Sequence, residues 1–257
     1  VEELPINMNQ ENYSRSNGSY AVRVVAGDPI GSFYGYRYKG VFQNVEDTYA
    51  RNEEGGIMYD YQGKPIVMKN IDTQCFPGDA KYEDVNHDGV INESDIVYLG
   101  NSNPKFFGGV NFSVKYKNVR LNAQFFGRFG QKIINQARMD MEGMRGTNNQ
   151  STAVLNRWRA EGDNTDIPRA LYGMGYNYLG SDRFVEDNSF MRLKQMTLSW
   201  DMPKKWLKNI GFERVQIYGT GYNLFTWTDY SGQDPEVSLN PDPKKPVQDN
   251  NQTPVTK

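Results

Sequence analysis

The sequence predicts an all-β protein of antiparallel, up-and-down strands, and three observations carry that prediction. Two neighbouring stretches, 105–116 from Val110 on and 119–125, alternate strictly between apolar and polar side chains, the period of a strand with two different faces. The links between successive strand-like stretches alternate between short and long. Aromatic residues collect near the ends of those stretches: Phe106, Phe107, Tyr116, Phe126, Phe129, Trp200, Trp206, Phe225, Trp227 and Tyr230.

Taken in order, Tyr20, Val22 and Val24 alternate with Ala21 and Arg23, residues 26–31 make a Gly- and Pro-containing turn, and Phe33 to Tyr38 begin a second strand, so the pair reads as a hairpin. The segment 40–104 is polar and rich in Gly, Asp and Asn, and reads as one long loop. In 105–116, Val110, Phe112, Val114 and Tyr116 share one face and Asn111, Ser113 and Lys115 the other. In 119–125, Val119, Leu121, Ala123 and Phe125 oppose Arg120, Asn122 and Gln124, and Lys117-Asn118 joins the two stretches. A second long interruption, 130–183, carries two expected helices, 131–144 and 152–160. Residues 184–201 read as one long strand and 214–225 as another, linked by a short amphipathic turn at 204–211; the tail 231–257 is polar.

Composition narrows the function. With 257 residues and a net charge of −2, nothing points to nucleic acid. The single cysteine, Cys75, and single histidine, His87, give no support to a disulfide framework, a zinc site or a nucleophile-histidine-acid triad, and carboxylate pairs stand on no recognisable motif, so the chain is read as a non-enzyme. No apolar run is long enough for a transmembrane helix, but a transmembrane β-strand needs only about 9–11 residues of alternating character. The first residues include no initiator methionine, and the chain is expected to be a mature or internal piece of a longer protein.

One motif demands a ligand. In 84–95, side-chain oxygens fall at loop positions one, three and five, glycine at six and a carboxylate at twelve, the spacing of an EF-hand-type calcium loop. Asp84, Asn86 and Asp88 would give side-chain oxygens, Val90 its carbonyl, Asn92 a direct or water-bridged contact, and Asp95 the closing carboxylate, while Gly89 turns the chain and Ile91 anchors it. The expected ion is a structural Ca2+, since seven oxygens suit it better than Mg2+. Gly100 and Pro104 exclude the long exiting helix of a true EF-hand, as in the dockerin-type variant.

The pattern fits two architectures. Short links at one end, long loops at the other and aromatics at strand ends are the features of an outer-membrane β-barrel. A soluble antiparallel sandwich, such as a secreted calcium-stabilised carbohydrate-binding module, would bury the same apolar row, although its strands are usually shorter.

Several motifs in order then bring a family into view. Pro77-Gly-Asp79-Ala-Lys-Tyr82, the loop 84–92, Leu99-Gly100-Asn-Ser-Asn-Pro104-Lys-Phe, Phe190-Met-Arg-Leu-Lys194, Met202-Pro-Lys-Lys-Trp206 and Tyr222-Asn-Leu-Phe-Thr226, ending at Asp234-Pro-Glu236, closely resemble the C-terminal part of the SusC/RagA family. These are TonB-dependent outer-membrane transporters of Bacteroidetes-type bacteria. The resemblance implies that 1–230 is the C-terminal part of a transmembrane barrel of the 22-stranded, plugged class. Segments 40–104 and 130–183 would then be extracellular loops, and 231–257 a polar tail. It further implies uptake of glycans or oligopeptides through the outer membrane, with outer-membrane lipids around the barrel and a SusD-like surface lipoprotein as cap. TonB would supply energy through a region absent from this chain. The plug and the upstream barrel are missing, and a final aromatic-terminated strand is not found at 254–257. In this reading Trp158, Arg159, Tyr172, Tyr176 and Tyr178 are candidates to stack on sugar rings or grip peptide backbone.

Overall fold

The computed structural model describes residues 19–22, 25, 27–208, 211–237 and 247–250. The chain divides into two compact units, neither continuous in sequence: one takes 1–102, 133–186 and 238–252, the other 103–132, 187–237 and 253–257. The expected barrel portion 1–230, with its long loops 40–104 and 130–183, falls across both, here called the loop unit and the sheet unit.

The strands before the sheet are short: β1 (Ala21–Val22), β2 (Ser32–Gly35), β3 (Tyr38–Val41), β4 (Lys69–Asn70), β5 (Thr73–Gln74), β6 (Ala80–Tyr82), β7 (Val90–Ile91) and β8 (Val97–Asn101). Long strands β9 (Phe106–Tyr116) and β10 (Val119–Phe129) follow, then short β11 (Lys132–Ile134), helix α1 (Gln136–Glu142) and short β12 (Val185–Asp187). The chain returns to long strands with β13 (Phe190–Asp201), helix α2 (Lys204–Leu207) and β14 (Gln216–Thr228).

The sheet unit is a four-stranded antiparallel meander in the order β14-β13-β10-β9. Lys117 at φ 52° makes the tight turn between β9 and β10, and Asn118 is clamped to Asp201 by backbone and side-chain bonds of 2.8 Å each. The register aligns the faces across strands. Tyr116, Val119, Trp200 and Ile217 stand opposite one another, then Val114, Leu121, Leu198 and Gly219, then Phe112, Ala123, Met196 and Gly221. The other face matches Ser113, Asn122, Thr197 and Thr220, with hydroxyl contacts of 2.7 Å (Ser113 to Asn122) and 3.0 Å (Thr197 to Thr220). Thus one apolar and one polar face run across all four strands. The apolar row of β9 is exposed: Val110 67%, Phe112 52% and Val114 44%.

Four strands, not the six expected, build this sheet. The expected hairpin at 20–38 exists, pairing Ala21 with Tyr34 and Val22 with Phe33, but its second strand also pairs with β8, in a separate sheet. Every residue of β2 is buried, so it cannot have the two unlike faces of a membrane strand. The expected strand 184–201 is broken at 188–189: Asn188 bonds Gln131 and Pro235, and Ser189 N–H donates to Asp187 Oδ1 at 2.7 Å. The last strand runs on to Thr228, beyond the expected end at 225.

Segment 40–104 is not an unstructured loop. It holds β3 to β8 and its own core of Phe42, Ala50, Met68, Cys75, Ala80, Tyr82 and Ile91, closed by Tyr36 and Leu179. A second core joins Tyr20, Phe33 and Leu99 to Ile134, Met139, Tyr178 and Phe184. The two long insertions are therefore one body. Gly35 lies so close to Gly180 that an added Cβ would sit 2.3 Å from its carbonyl, Tyr36 N–H donates to that carbonyl at 2.8 Å, and Arg169 grips Asp79 at 2.7 and 3.1 Å. The expected helices shrink. Lys132-Ile-Ile become strand because both isoleucines are fully buried, leaving α1 to start at the Asn135 cap, and 152–160 gives only a 3-10 turn at Thr152–Asn156, capped by Ser151.

Candidate functional site

The loop 84–95 folds around its own carboxylates. Asp84 accepts the backbone N–H groups of Asp88 (3.2 Å) and Gly89 (2.8 Å), Asn86 accepts that of Asp88 (3.2 Å), and Asp88 accepts that of Val90 (2.7 Å). His87 at φ 56° and Gly89 at φ 83° supply the sharp turn. Gly89 is required twice over, because a Cβ there would also meet Ala50 Cβ at 3.0 Å. Val90 and Ile91 pair in parallel with Lys69 and Asn70, and fully buried Ile91 fixes the loop to the core as the spacing implied.

Asp88 Oδ2, the Val90 carbonyl and the amides of Asn86 and Asn92 converge. Asn86 Nδ2 lies 2.9 Å from Asp88 Oδ2, and Asn92 Nδ2 lies 3.4 Å from it and 3.0 Å from the Val90 oxygen. Two amide N–H groups thus face acceptors, while the Asn86 and Asn92 oxygens accept the Asp88 and Ser94 N–H groups at 3.2 and 2.8 Å. Asp84, Asn86, Asp88, Val90 and Asn92 are of the residue types, at the offsets, that a calcium loop uses. Among the described residues no group of three or more His, Cys, Asp or Glu is gathered to hold a metal.

Asp95, the expected closing carboxylate, is held by the backbone of the loop. It is wholly buried, with one oxygen accepting Val85 N–H and the other Asn92 N–H, each at 2.8 Å, and with Asn92 it forms the capping box of the turn Glu93–Asp95. Burial, opposed by these backbone bonds, raises its pKa above the ordinary carboxylate value. Through these bonds it ties the two ends of the loop together.

The five candidate contact residues fall into different surroundings. Tyr172 is 70% exposed. Arg159 is exposed on a cavity of about 390 Å3 with Arg157, Asp163, Thr165 and Asp166, its guanidinium donating to the Leu155 carbonyl at 2.8 Å. Trp158 is half-buried with its ring over Gly78, where an added Cβ would lie 2.3 Å from it. Tyr176 packs on the core around Phe42, and its carbonyl accepts the Tyr82 hydroxyl at 3.2 Å. Tyr178 is corrected from contact to core: it is 2% exposed, its ring 6.3 Å from Phe184, and burial pushes its hydroxyl up to about 12.

Sequence reading missed the buried ion pairs. Arg183 is enclosed by the rings of Tyr38, Tyr178 and Phe184 and pairs with Glu142 at 2.7 Å, while Glu142 and Glu186 share Arg138. Apart from Arg138 and Glu142, four residues apart on α1, these partners are far apart in the chain, so no local motif announces them.

A meander of long strands with an apolar and a polar face is the strand pattern of transmembrane β-proteins. No family model matches the chain. It is 32% identical over 216 residues to TonB-dependent receptor P3 of Formosa agariphila, covering 84% of this chain and 19% of that one. It is also 30% identical over 221 residues to TonB-dependent receptor P26 of the same organism, covering 86% and 20%. Its fold is similar to the RagAB peptide transporter, with TM-score 0.56, 22% identity, and 79% of this chain and 20% of that one covered. The chain belongs to the TonB-dependent receptors. It spans about a fifth of the length of the curated relatives it matches.

Proposed function

We propose that the chain is part of the barrel subunit of an outer-membrane nutrient importer of the SusCD kind, energised through TonB. The sheet unit is a piece of the wall of a closed, 22-stranded barrel, its apolar face to lipid and its polar face to the interior. The loop unit lies outside the cell, where it meets a SusD-like lipoprotein and the cargo, a glycan or oligopeptide. The observation that carries this reading is the apolar row across all four strands, exposed on β9. A secreted sandwich would cover that row with a second sheet.

The loop 84–95 takes one Ca2+ through Asp84, Asn86, Asp88, Val90 and Asn92, where the ion stiffens the loop unit. Asp84→Ala or Asp88→Ala then loosens the loop and weakens lipoprotein or substrate engagement without unfolding the barrel. Tyr172 and Arg159 are the candidates best placed to touch cargo.

Extraction of the native protein with and without detergent tests the central claim. A detergent-requiring polypeptide several times the length of these 257 residues is expected. A detergent-independent protein would overturn the barrel.

A further inference from the structure

At the end where its short links lie, the sheet unit carries a cluster of rings and cations. The last matched row of the apolar face is Tyr116, Val119, Trp200 and Ile217, with Tyr116 and Ile217 well exposed. Beyond that row the chain turns at Lys117-Asn118 and, between β13 and β14, passes through α2. Backbone bonds hold both links in place: Asp201 N–H donates to the Asn118 carbonyl at 2.8 Å and Met202 N–H to the Val215 carbonyl at 2.9 Å.

α2 is seated by its two apolar side chains. Leu207 is buried, and Trp206 sets its ring edge-on to Trp200, 5.9 Å between centres, while staying 60% exposed. An exposed indole set against the end of an apolar row suits the boundary between hydrocarbon and lipid headgroups, where one side is apolar and the other wet.

The charges at this end are mostly of one sign. Residues 114–119 and 198–218 carry six basic side chains, Lys115, Lys117, Lys204, Lys205, Lys208 and Arg214, against two acids, Asp201 and Glu213, in a chain of net charge −2. Asp201 is taken by Arg214, at 2.9 and 3.1 Å. Among the described residues, Lys117, Lys204, Lys205 and Lys208 are exposed and have no carboxylate partner. Lys204 and Lys208 stand four apart on one helical turn, where like charges repel. The Lys117 ammonium lies 5.2 Å from the centre of the Tyr116 ring. Uncompensated ammonium groups beside interfacial rings match an anion that carries its own apolar tail.

We propose that this end of the sheet binds anionic phospholipids of the inner leaflet. Lys117, Lys204, Lys205 and Lys208 meet the headgroup phosphates, while Trp206, Trp200 and Tyr116 lie against the first part of the acyl chains, fixing the depth of the wall in the membrane. This rests on the barrel reading, which puts the long loops outside the cell and the short links at the periplasmic surface.

Photolabelling tests it. The full-length protein is reconstituted in phosphatidylcholine vesicles holding a trace of photoactivatable phosphatidylglycerol or photoactivatable phosphatidylcholine, and the labelled peptides are mapped. Labelling of 116–119 and 200–217 should favour phosphatidylglycerol by at least about fivefold, the factor one lysine is worth near an anionic headgroup. NaCl should shrink that preference. Lys204→Gln, Lys205→Gln and Lys208→Gln combined should abolish it, while 106–114 stay labelled as in the native protein, which shows the wall intact. Equal labelling of the links by both lipids, or a preference that survives in the triple variant, would overturn the headgroup site. So would strands that label and links that do not, which would give this end to a protein partner, and so would inorganic phosphate that competes beyond NaCl of equal ionic strength. A full-length protein labelled nowhere by either lipid would overturn the barrel reading itself.

Discussion

At Asp95 one carboxylate ties Val85 to Asn92, the two ends of the loop, while fully enclosed. Asp95→Asn keeps the shape but turns an N–H toward one of those donors, and should destabilise the loop unit by about 1–3 kcal/mol, read from thermal unfolding in chelator. Its pKa is raised in the fold, so its contribution is complete below the unfolded value and is lost as pH rises through the folded one. The gap between native and variant stability should therefore widen as pH is lowered through the carboxylate range, and a gap that narrows would contradict the burial argument. Asp88→Ala tests the other half of the loop: with calcium present, protease nicking within 84–95 should increase, and chelator should raise it in the native protein but not in the variant. Equal nicking in all four conditions would remove the ion from the account. Gly78 sits at φ +89° under the Trp158 ring. Gly78→Ala should cost about 1–3 kcal/mol through strain and overpacking, measured by the same unfolding transition. The sharp turn of 84–95 was legible because Asp, Asn and Gly occupy fixed offsets. Buried Tyr178 was not, since its environment comes from Phe184 and Arg183 and not from its neighbours in the loop.

Strands announce themselves only when their two faces meet different surroundings. That condition holds for β9 and β10, whose alternation gave their faces and the turn between them although β10 runs on to Phe129, beyond the expected end at 125, and fails for β2, buried on both sides in the loop unit. The bulge in β13 left a trace that alternation alone missed. Apolar residues fall at Met191 and Leu193, then change phase to Met196, Leu198 and Trp200, and the added residue is Lys194. The faces also make a paired prediction. Phe112→Arg places a charge in the middle of the lipid-facing row and should cost about 2–4 kcal/mol in barrel stability, while Ser113→Arg, one residue on and facing the interior, should cost much less. Urea unfolding of the lipid-reconstituted, full-length protein measures both. Equal costs would mean that the two faces see the same medium.

On the scale of the whole molecule, sequence order and spatial order part company. Segments 40–104 and 130–183 look like independent polar loops, yet they share cores and are tied by Arg169 to Asp79, Asn177 to the Ala80 amide, and Leu179 to the Tyr82 hydroxyl. Nothing in either segment alone could show this, because each supplies only half of every contact. A body built this way should respond to external protease as one unit. In intact cells, cleavage should fall within 40–104 and 130–183 and spare 106–129 and 190–228, which the membrane covers in the barrel reading. Breaking the Arg169 pair leaves Asp79, whose side chain is 8% exposed, without its cation. Arg169→Ala should therefore expose both segments together, while wall strands remain protected. If only 130–183 became sensitive, the two insertions would be separate loops that merely touch.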